Sequence, residues 1–339
     1  MSKYSILIIF SSITYFLLNI FYIKISDKFN ILKKKSEFNL HKDKVCNNGG
    51  IIFILIFFFD LLISYQLNQK LWNVSFPRFE ILFLVITAFY IISIYDQFIG
   101  LHPIYRLILQ GTLIFISLPL IKFPITNWIP LKLEYLIIIY LWVYIINVTN
   151  FIDGTDGMMT VNNIGVYINA IIFFYYTNNT HAIFDISIIL TLLSVIFLIF
   201  NWPKAKIFIG DTGSVPLGYI NGLILIFYIS NGYYFFAASI FAYPLLDVTL
   251  TLIKKSLKKI SPWARLYDYH FLKPVIKFKQ NHFYVLKYII FQIFISSISS
   301  ILYFKYNNGY YLITPFIISI FLIYKFSKKI NKKKSNFFF

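Results

Sequence analysis

Long apolar runs, each of about 17–25 residues, alternate along the chain with short polar segments. A run of that length is enough to cross a bilayer as a helix. The pattern predicts an all-α, polytopic integral membrane protein with about eleven transmembrane helices, in a single membrane-embedded domain over residues 1–339. The predicted spans are residues 4–24, 50–67, 79–95, 102–121, 133–149, 159–176, 182–201, 214–230, 233–253, 284–304 and 309–326.

Lysine and arginine gather in three of the polar segments: residues 24–49, residues 254–283 and the tail from Lys325 onward. With eleven spans, all three segments fall on one side, and the positive-inside rule makes that side the cytoplasm. The N-terminus is then outside and the C-terminus inside. The loops that contain unusual acids, amides and glycines fall on the same side. We therefore expect an active site at the inner membrane interface.

Composition agrees with a membrane protein. Hydrophobic residues make up 59% of the chain and charged residues only 13%, which leaves too little polar surface for a water-facing globule. The net charge is +18, but the basic residues lie between apolar spans and form no separate basic domain. This arrangement argues against nucleic-acid binding and favours contact with anionic lipid or substrate phosphate. The single cysteine, Cys46, excludes an internal disulfide and a cysteine metal cluster.

The most informative motif lies at the end of the fifth span, over residues 147–157. Asn147, Asn150 and Asp153 are spaced by three residues and share one face of a helix. Polar groups so close to the membrane are costly unless they are paired or used. Gly154 and Gly157 permit a tight turn and the close approach of a ligand. A simple turn after a helix would not need so many spaced polar groups, so the motif favours a binding site.

A second motif leads into the eighth span, over residues 208–218. Gly210 and Ser214 lie at the predicted start of a helix, where backbone N–H groups favour phosphate. Asp211 offers a hard oxygen ligand suited to Mg²⁺. An ordinary N-cap would explain Asp211 or Ser214 equally well if the motif stood alone.

Three further features are more ambiguous. Asp96, with Arg106 ten residues later, lies at the cytoplasmic end of the third span and suits either a site or an interfacial turn. Asp247 lies inside an apolar run, where an acid either functions or pairs with a neighbouring helix. The basic loop that contains Arg265 and His270 suits either a sugar phosphate or lipid headgroups.

Several activities are disfavoured by missing motifs. No Walker-type phosphate loop is present, which argues against an ATP-driven pump, and no zinc-protease or hydrolase nucleophile motif appears. A transporter of an anionic lipid or sugar is a second hypothesis, because transporters also use intramembrane polar residues. It predicts polar groups near the midplane and a repeated half, and neither is visible in the sequence.

Four features of the sequence occur together: residues 147–157, Asn201–Pro203 running into residues 208–218, Asp96–Gly100 and the eleven-span layout. In these features the chain resembles the polyprenyl-phosphate N-acetylhexosamine-1-phosphate transferases of glycosyltransferase family 4. The resemblance implies transfer of a sugar phosphate from a UDP-sugar to undecaprenyl phosphate, with release of UMP, in the bacterial plasma membrane. It also implies a Mg²⁺ cofactor, or Mn²⁺ in its place, and leaves a homodimer open.

The resemblance assigns roles residue by residue. Asp211 would be the metal ligand, and Asp96 would stand near the acceptor phosphate. The residues that would carry the reaction are Asp96, Asp153, Asp156 and Asp211. The residues that would bind substrate are Asn147, Asn150, Gly154, Gly210, Ser214, Arg106, Arg265, His270 and His41.

The chain departs from the family pattern in two places near the site. The family usually has an Asp-Asp pair where this chain has Asp96-Gln97. After the first span it commonly has three consecutive glycines, and here the first of them is Asn48.

The last cytoplasmic loop is a third departure, because it has Arg265, Asp268 and His270 and lacks the family's cluster of histidines. This absence argues against the phospho-MurNAc-pentapeptide enzyme, which we keep as the alternative. It favours the branch that starts O-antigen or other surface polysaccharides. A non-catalytic family member that serves as a scaffold is a further hypothesis.

Overall fold

The structure is a computed structural model that describes residues 3–29, 33–34, 45–76, 78–126, 128–261 and 269–328. Helices dominate this part of the chain. Those of the first half are α1 (Lys3–Phe29), α2 (Gly50–Leu67), α3 (Gln69–Ser75), α4 (Phe79–Ile99), α5 (Pro103–Ser117) and α6 (Leu131–Phe151). Those of the second half are α7 (Met158–Thr177), α8 (Ala182–Asn201), α9 (Asp211–Ser230), α10 (Tyr234–Ile240), α11 (Ala242–Leu257), α12 (Lys273–Ile276), α13 (His282–Tyr306) and α14 (Thr314–Ser327). Single 3₁₀ turns cover Leu118–Leu120 and Gly309–Ile313.

The membrane-spanning pattern is confirmed. Within the described ranges, ten helices are long and apolar enough to cross a membrane, and α10 with α11 make an eleventh if the bent pair counts as one span. The predicted all-α, polytopic fold class therefore holds.

The ninth predicted span, residues 233–253, is wrong in one respect. It is not one straight helix, because α10 and α11 meet at Phe241 with a bend of 81°. Pro244 lies in the first turn of α11 and has no N–H to donate to the carbonyl of Ile240, where α10 ends. A continuous helix would need that hydrogen bond, so the chain turns there.

Helix α9 lies at the centre of the bundle. In its apolar stretch 83% of the residues are buried, against 22% in α1. Its closest partner is α6, where the Trp142 indole stacks on the Tyr219 ring and donates to the Tyr219 carbonyl at 2.9 Å. A Cβ on Gly222 would lie 2.1 Å from Trp142, so only glycine allows this approach. Tight packing of α6 against α9 fixes the polar end of α6 relative to the start of α9.

A short two-stranded sheet lies beside the segment that leads into α9. Strands β1 (Lys33–Lys34) and β2 (Val45–Cys46) are antiparallel, and Cys46 forms a parallel bridge with Ile207. The N–H groups of Gly49 and Gly50 donate to the carbonyls of Phe208 and Ile209, both at 2.9 Å. The segment before α2 therefore runs beside the segment before α9.

Candidate active site

Arg106 joins two acids from different helices at one end of the bundle. Its guanidinium Nη1 lies 3.1 Å from the Asp96 Oδ2 and 3.7 Å from the Asp211 Oδ2. Asp96 lies in the last turns of α4, where its other oxygen accepts from the Leu101 N–H at 2.6 Å. Asp211 is the first residue of α9, and its side chain is 47% exposed. Asp211 is thus the more open of the two acids and the better placed to receive a ligand.

Asp153 lies beside the same turn, although it comes from the loop between α6 and α7. The Gly210 N–H hydrogen-bonds to the Asp153 carboxyl. Burial, and next the neighbouring carboxylates of Asp211 and Asp156, raise the pKa of Asp153 to about 8 despite that hydrogen bond. A bound cation would offset the repulsion between these neighbouring carboxylates.

The amides of the first motif bind helix α9 and helix α5. Asn150 accepts a hydrogen bond from the Ser214 hydroxyl at 2.7 Å, which links the end of α6 to the first turn of α9. The Asn147 amide donates to the Gln110 Oε1 on α5 and to the Val143 carbonyl, both at 2.8 Å. In this arrangement both amides hold the frame of the site together.

An open groove begins at the Asp96–Arg106 pair. It lies between α4, α5 and α9. The residues that line it are Phe89, Ile92, Ser93, Asp96, Arg106, Leu109, Gln110, Leu113 and Val215. One end therefore carries an acid and a cation, and the walls beyond are mostly apolar. Such a groove suits an amphipathic ligand with an anionic head and a hydrocarbon tail.

Asp156 and Asn201 brace the loops that support the site. The Asp156 Oδ2 accepts from the N–H groups of Lys204 and Ala205, at 2.9 and 3.2 Å, and only 1% of the residue is exposed. Asn201 accepts from the Gly157 N–H at 3.0 Å and donates to the Ile207 carbonyl at 2.8 Å. The geometry gives Asp156 a loop-bracing position behind the open site, in contrast to the direct catalytic role expected for it.

His270 also lies behind the site. Its ring is fully buried, with Nδ1 2.8 Å from the Asp247 Oδ1 and Nε2 2.8 Å from the Lys254 Nζ. The Asp247 carboxylate also accepts from the N–H groups of His270 and Phe271. A ring with both nitrogens engaged cannot reach a substrate in this arrangement, which differs from the predicted contact. The intramembrane acid Asp247 is therefore paired with the loop after α11, and not with a neighbouring helix as one hypothesis proposed.

The segment after His270 packs onto the glycine of the first motif. A Cβ on Gly154 would lie 3.3 Å from both Phe271 and Leu272. Gly154 therefore lies under an apolar lid made by this segment, one residue from Asp153. The other glycine of interest, Gly210, has φ +68°, a conformation that favours glycine and that turns the chain into α9.

Comparison with known proteins gives a match for the central part of the chain. Residues 79–229 match the model of glycosyl transferase family 4, and this stretch includes Asp96, Arg106, Asp153 and Asp211. Over these residues the chain is similar to glycosyl transferase family 4.

Three relatives illustrate the similarity, and each is named a phospho-N-acetylmuramoyl-pentapeptide-transferase. The protein from Petrotoga mobilis is 30% identical over 218 residues, which cover 58% of this chain and 65% of the relative. The protein from Leuconostoc citreum is 39% identical over 118 residues, covering 32% and 36%. The protein from Staphylococcus carnosus is 36% identical over 150 residues, covering 42% and 46%. In each case the match spans less than two thirds of the relative's own length.

The carboxylates of Asp153 and Asp211 are the side chains of this site that could bind Mg²⁺. Among the described residues no group of three or more His, Cys, Asp or Glu side chains could hold a metal. The carboxylates of Asp211 and Asp153 lie close enough to repel each other. Mg²⁺ is usually held by one or two carboxylates together with substrate phosphates and water, so two acids fit when a diphosphate completes the shell.

Two of the predicted substrate-binding residues, His41 and Arg265, lie outside the described residues. Gln110, which lines the groove and accepts a hydrogen bond from Asn147, was not predicted from the sequence. Its signal was weak, because a single amide in an amphipathic helix is common. The roles of the predicted site residues stay predictions, and the geometry brings Asp96, Arg106, Asp153 and Asp211 together.

Proposed function

We propose that this protein transfers an N-acetylhexosamine 1-phosphate unit from a UDP-linked sugar to polyprenyl phosphate, with release of UMP. One observation carries the proposal. Three acids and Arg106 gather at one end of the helical bundle, where a groove with apolar walls begins. A site for joining a charged nucleotide sugar to a lipid phosphate needs this combination.

The acceptor would bind in the groove. Its phosphate would lie near Arg106, whose guanidinium can bind phosphate oxygens through two N–H groups. The first isoprene units would then contact the walls formed by Phe89, Leu109 and Leu113. Both Asp96 oxygens are already engaged, by Leu101 and Arg106. Asp96 is therefore suited to orient Arg106, and the acceptor phosphate, with a second pKa of about 6, needs little help to ionise at neutral pH.

The reaction we propose is a single displacement. An oxygen of the lipid phosphate attacks the β-phosphorus of the UDP-sugar, and the bond from that phosphorus to the bridging oxygen breaks as UMP leaves. Catalysis of phosphoryl transfer is mostly positioning and neutralisation of charge. Asp211 and Asp153 would hold Mg²⁺, and when bound the ion would neutralise the diphosphate. Arg106 would orient the attacking phosphate, and the Gly210 turn would present backbone N–H groups to the donor.

The location of the protein is part of the proposal. The basic segments identified in the sequence favour a site at the cytoplasmic face of a bacterial plasma membrane, with the N-terminus outside. UDP-sugars would reach the site from the cytoplasm, and the lipid would enter from the bilayer. A homodimer stays a prediction.

Two classes of donor compete. The names of the relatives favour UDP-MurNAc-pentapeptide, which the sequence analysis had held as the alternative. The absence of a histidine cluster favours a simple UDP-N-acetylhexosamine, for the start of O-antigen or another surface polysaccharide. The relatives give no support to the second class, so we place the pentapeptide donor first.

The decisive experiment offers a panel of donors to the purified protein in detergent with undecaprenyl phosphate and Mg²⁺. The panel contains UDP-MurNAc-pentapeptide, UDP-GlcNAc and UDP-GalNAc, and the readouts are UMP release and labelled lipid product. We expect one donor class to give equal amounts of both products, and none without lipid. Labelled solute that crosses reconstituted vesicles without UMP release would instead establish a transporter.

A further inference from the structure

The amides of Asn48 and Gln97, both departures from the family pattern, contact each other. The Gln97 Nε2 donates to the Asn48 Oδ1. Gln97 lies near the end of α4, next to Asp96, and Asn48 lies two residues before α2. The two residues are 49 positions apart, so the chain connection does not impose their contact.

Asn48 is in turn placed against the turn that leads to Asp211. Its φ is +70°, a left-handed conformation that asparagine tolerates better than most residues. A Cβ on Gly210 would lie 3.0 Å from the Asn48 Oδ1 and 2.9 Å from the Asn47 Oδ1. The amide oxygen that accepts from Gln97 therefore packs directly against Gly210, one residue before Asp211.

Because Asn48 is buried, loss of its hydrogen bond from Gln97 would cost free energy. Only 5% of the residue is exposed, and leaving a buried amide oxygen without a donor costs about 1–3 kcal/mol. An aspartate at position 97 would be one methylene shorter and would bring no N–H donor. It would also add a negative charge beside Asp96, in a site that already contains Asp153 and Asp211. A neutral amide donor avoids both costs.

We propose that Gln97 is a positioning residue for Asp211, acting through Asn48 to fix the Gly210–Asp211 turn relative to Asp96 and Arg106 without adding negative charge. The amide pair links the end of α4 to the segment that packs against Gly210, and Arg106 contacts an acid from α4 and an acid from α9. The inference rests on the proposed function, because the turn that it positions is the proposed metal and diphosphate site.

A double-mutant cycle tests the proposal. Gln97→Met keeps the length of the side chain and removes the donor, and Asn48→Gly removes the acceptor. Both variants and their combination would be compared with wild type for the transfer rate at saturating substrates and for the melting temperature in detergent. Binding of Mn²⁺ in the presence of UDP, followed by electron paramagnetic resonance, supplies a readout that a purely structural contact would leave unchanged. Gln69→Met is the matched control, because Gln69 is exposed and lies at the opposite end of the bundle.

We expect each single change to lower the rate about tenfold and to weaken Mn²⁺ binding about fivefold, since loss of one buried hydrogen bond is worth about 1 kcal/mol or more. The combined variant should be no worse than the poorer single variant. A wild-type rate and Mn²⁺ affinity in Gln97→Met, or losses that add in the combination, would overturn the proposal. If wild-type protein transfers no sugar phosphate, the proposed function fails, and the cycle on melting temperature and Mn²⁺ binding still decides whether the pair is coupled to the turn.

Discussion

The acidic side chains at the two ends of the helical bundle have different kinds of partner. At the end opposite the site, Asp185 accepts from the Ser64 hydroxyl at 2.8 Å and from the Asn68 amide at 3.3 Å. Glu134 there accepts from the N–H groups of Ile125 and Thr126 at 3.0 and 2.6 Å. At the other end, Asp211 and Asp153 crowd each other, and Arg106 is shared between Asp211 and Asp96.

The difference separates structural acids from acids that suit a ligand. Asp185 and Glu134 each have two or more donors supplied by the protein, so they stabilise the fold as they stand. Asp153 and Asp211 repel each other, which costs stability that a bound cation and diphosphate would restore. Changes to the acids at one end can therefore be compared with changes to the acids at the other end.

The largest effect is expected for Asp211→Asn. The change removes the most exposed carboxylate of the site, so we expect Mg²⁺-dependent transfer to fall by about 100-fold or more. The measurement is the rate of labelled lipid formation by purified protein. Glu80→Gln, an acid-to-amide change at an exposed position of the opposite end, should keep the wild-type rate. Near-wild-type transfer by Asp211→Asn would remove this residue from the metal site.

Asp153→Asn should have the next largest effect. It keeps the shape of the side chain and removes one of the two crowded charges, so we expect turnover to fall by about tenfold or more. The kinetics should be measured over a range of Mg²⁺ concentrations, because a lost ligand raises the concentration needed for half-maximal rate. An unchanged rate would indicate that residues 152–157 form only a turn.

At the opposite end, Asp185→Ala should change stability and leave turnover unchanged. Ser64 and Asn68 would lose their acceptor, which should cost about 1–2 kcal/mol. Unfolding of the detergent-solubilised protein measures the loss, and the transfer rate per folded molecule provides the comparison. A fall in that rate, with stability unchanged, would show that the two ends are not independent.

A pH dependence of stability is expected in chelator, without substrate. The pKa of Asp153 is raised from 3.8 in the unfolded chain to about 8. Between these values the folded state keeps a proton that the unfolded state has released, so this group lowers stability as the pH rises through that range. The loss should level off above about pH 8.

Asp153→Asn should therefore flatten the fall in melting temperature between about pH 5 and pH 8. Asp185→Asn, measured in parallel, gives the change expected from an acid at the other end. Identical pH profiles for wild type and Asp153→Asn would mean that Asp153 does not titrate in this range.

Much of the fold follows from sequence because span length and hydropathy are local properties. The bend at Phe241 does not, because hydropathy continues through it and only the missing N–H of Pro244 reveals it. Sequence also predicts that Asp96 and Asp211 face the same side. Their common contact with Arg106 depends on how α4, α5 and α9 pack, which no spacing along the chain encodes.

Within the site, too, some features can be predicted from the sequence and others depend on packing. Asp211 and Asp153 are visible in sequence, because acids beside glycines at a span end are unusual. The buried positions of Asp156 and His270 are not visible, because their partners, Lys204 and Asp247, come from other segments. A motif shows which residues are unusual, and packing decides which of them face the open site.

The backbone contact between the first turns of α2 and α9 limits how the gene can vary. A Cβ on Gly50 would lie 2.2 Å from the Gly213 nitrogen, and a Cβ on Gly213 would lie 2.8 Å from the Gly50 Cα. A clash caused by a larger residue at one position cannot be removed by a smaller residue at the other, because both are already glycine. In a saturation library every amino-acid substitution at these two positions should be depleted, whereas the lipid-facing surface of α1 should accept many substitutions.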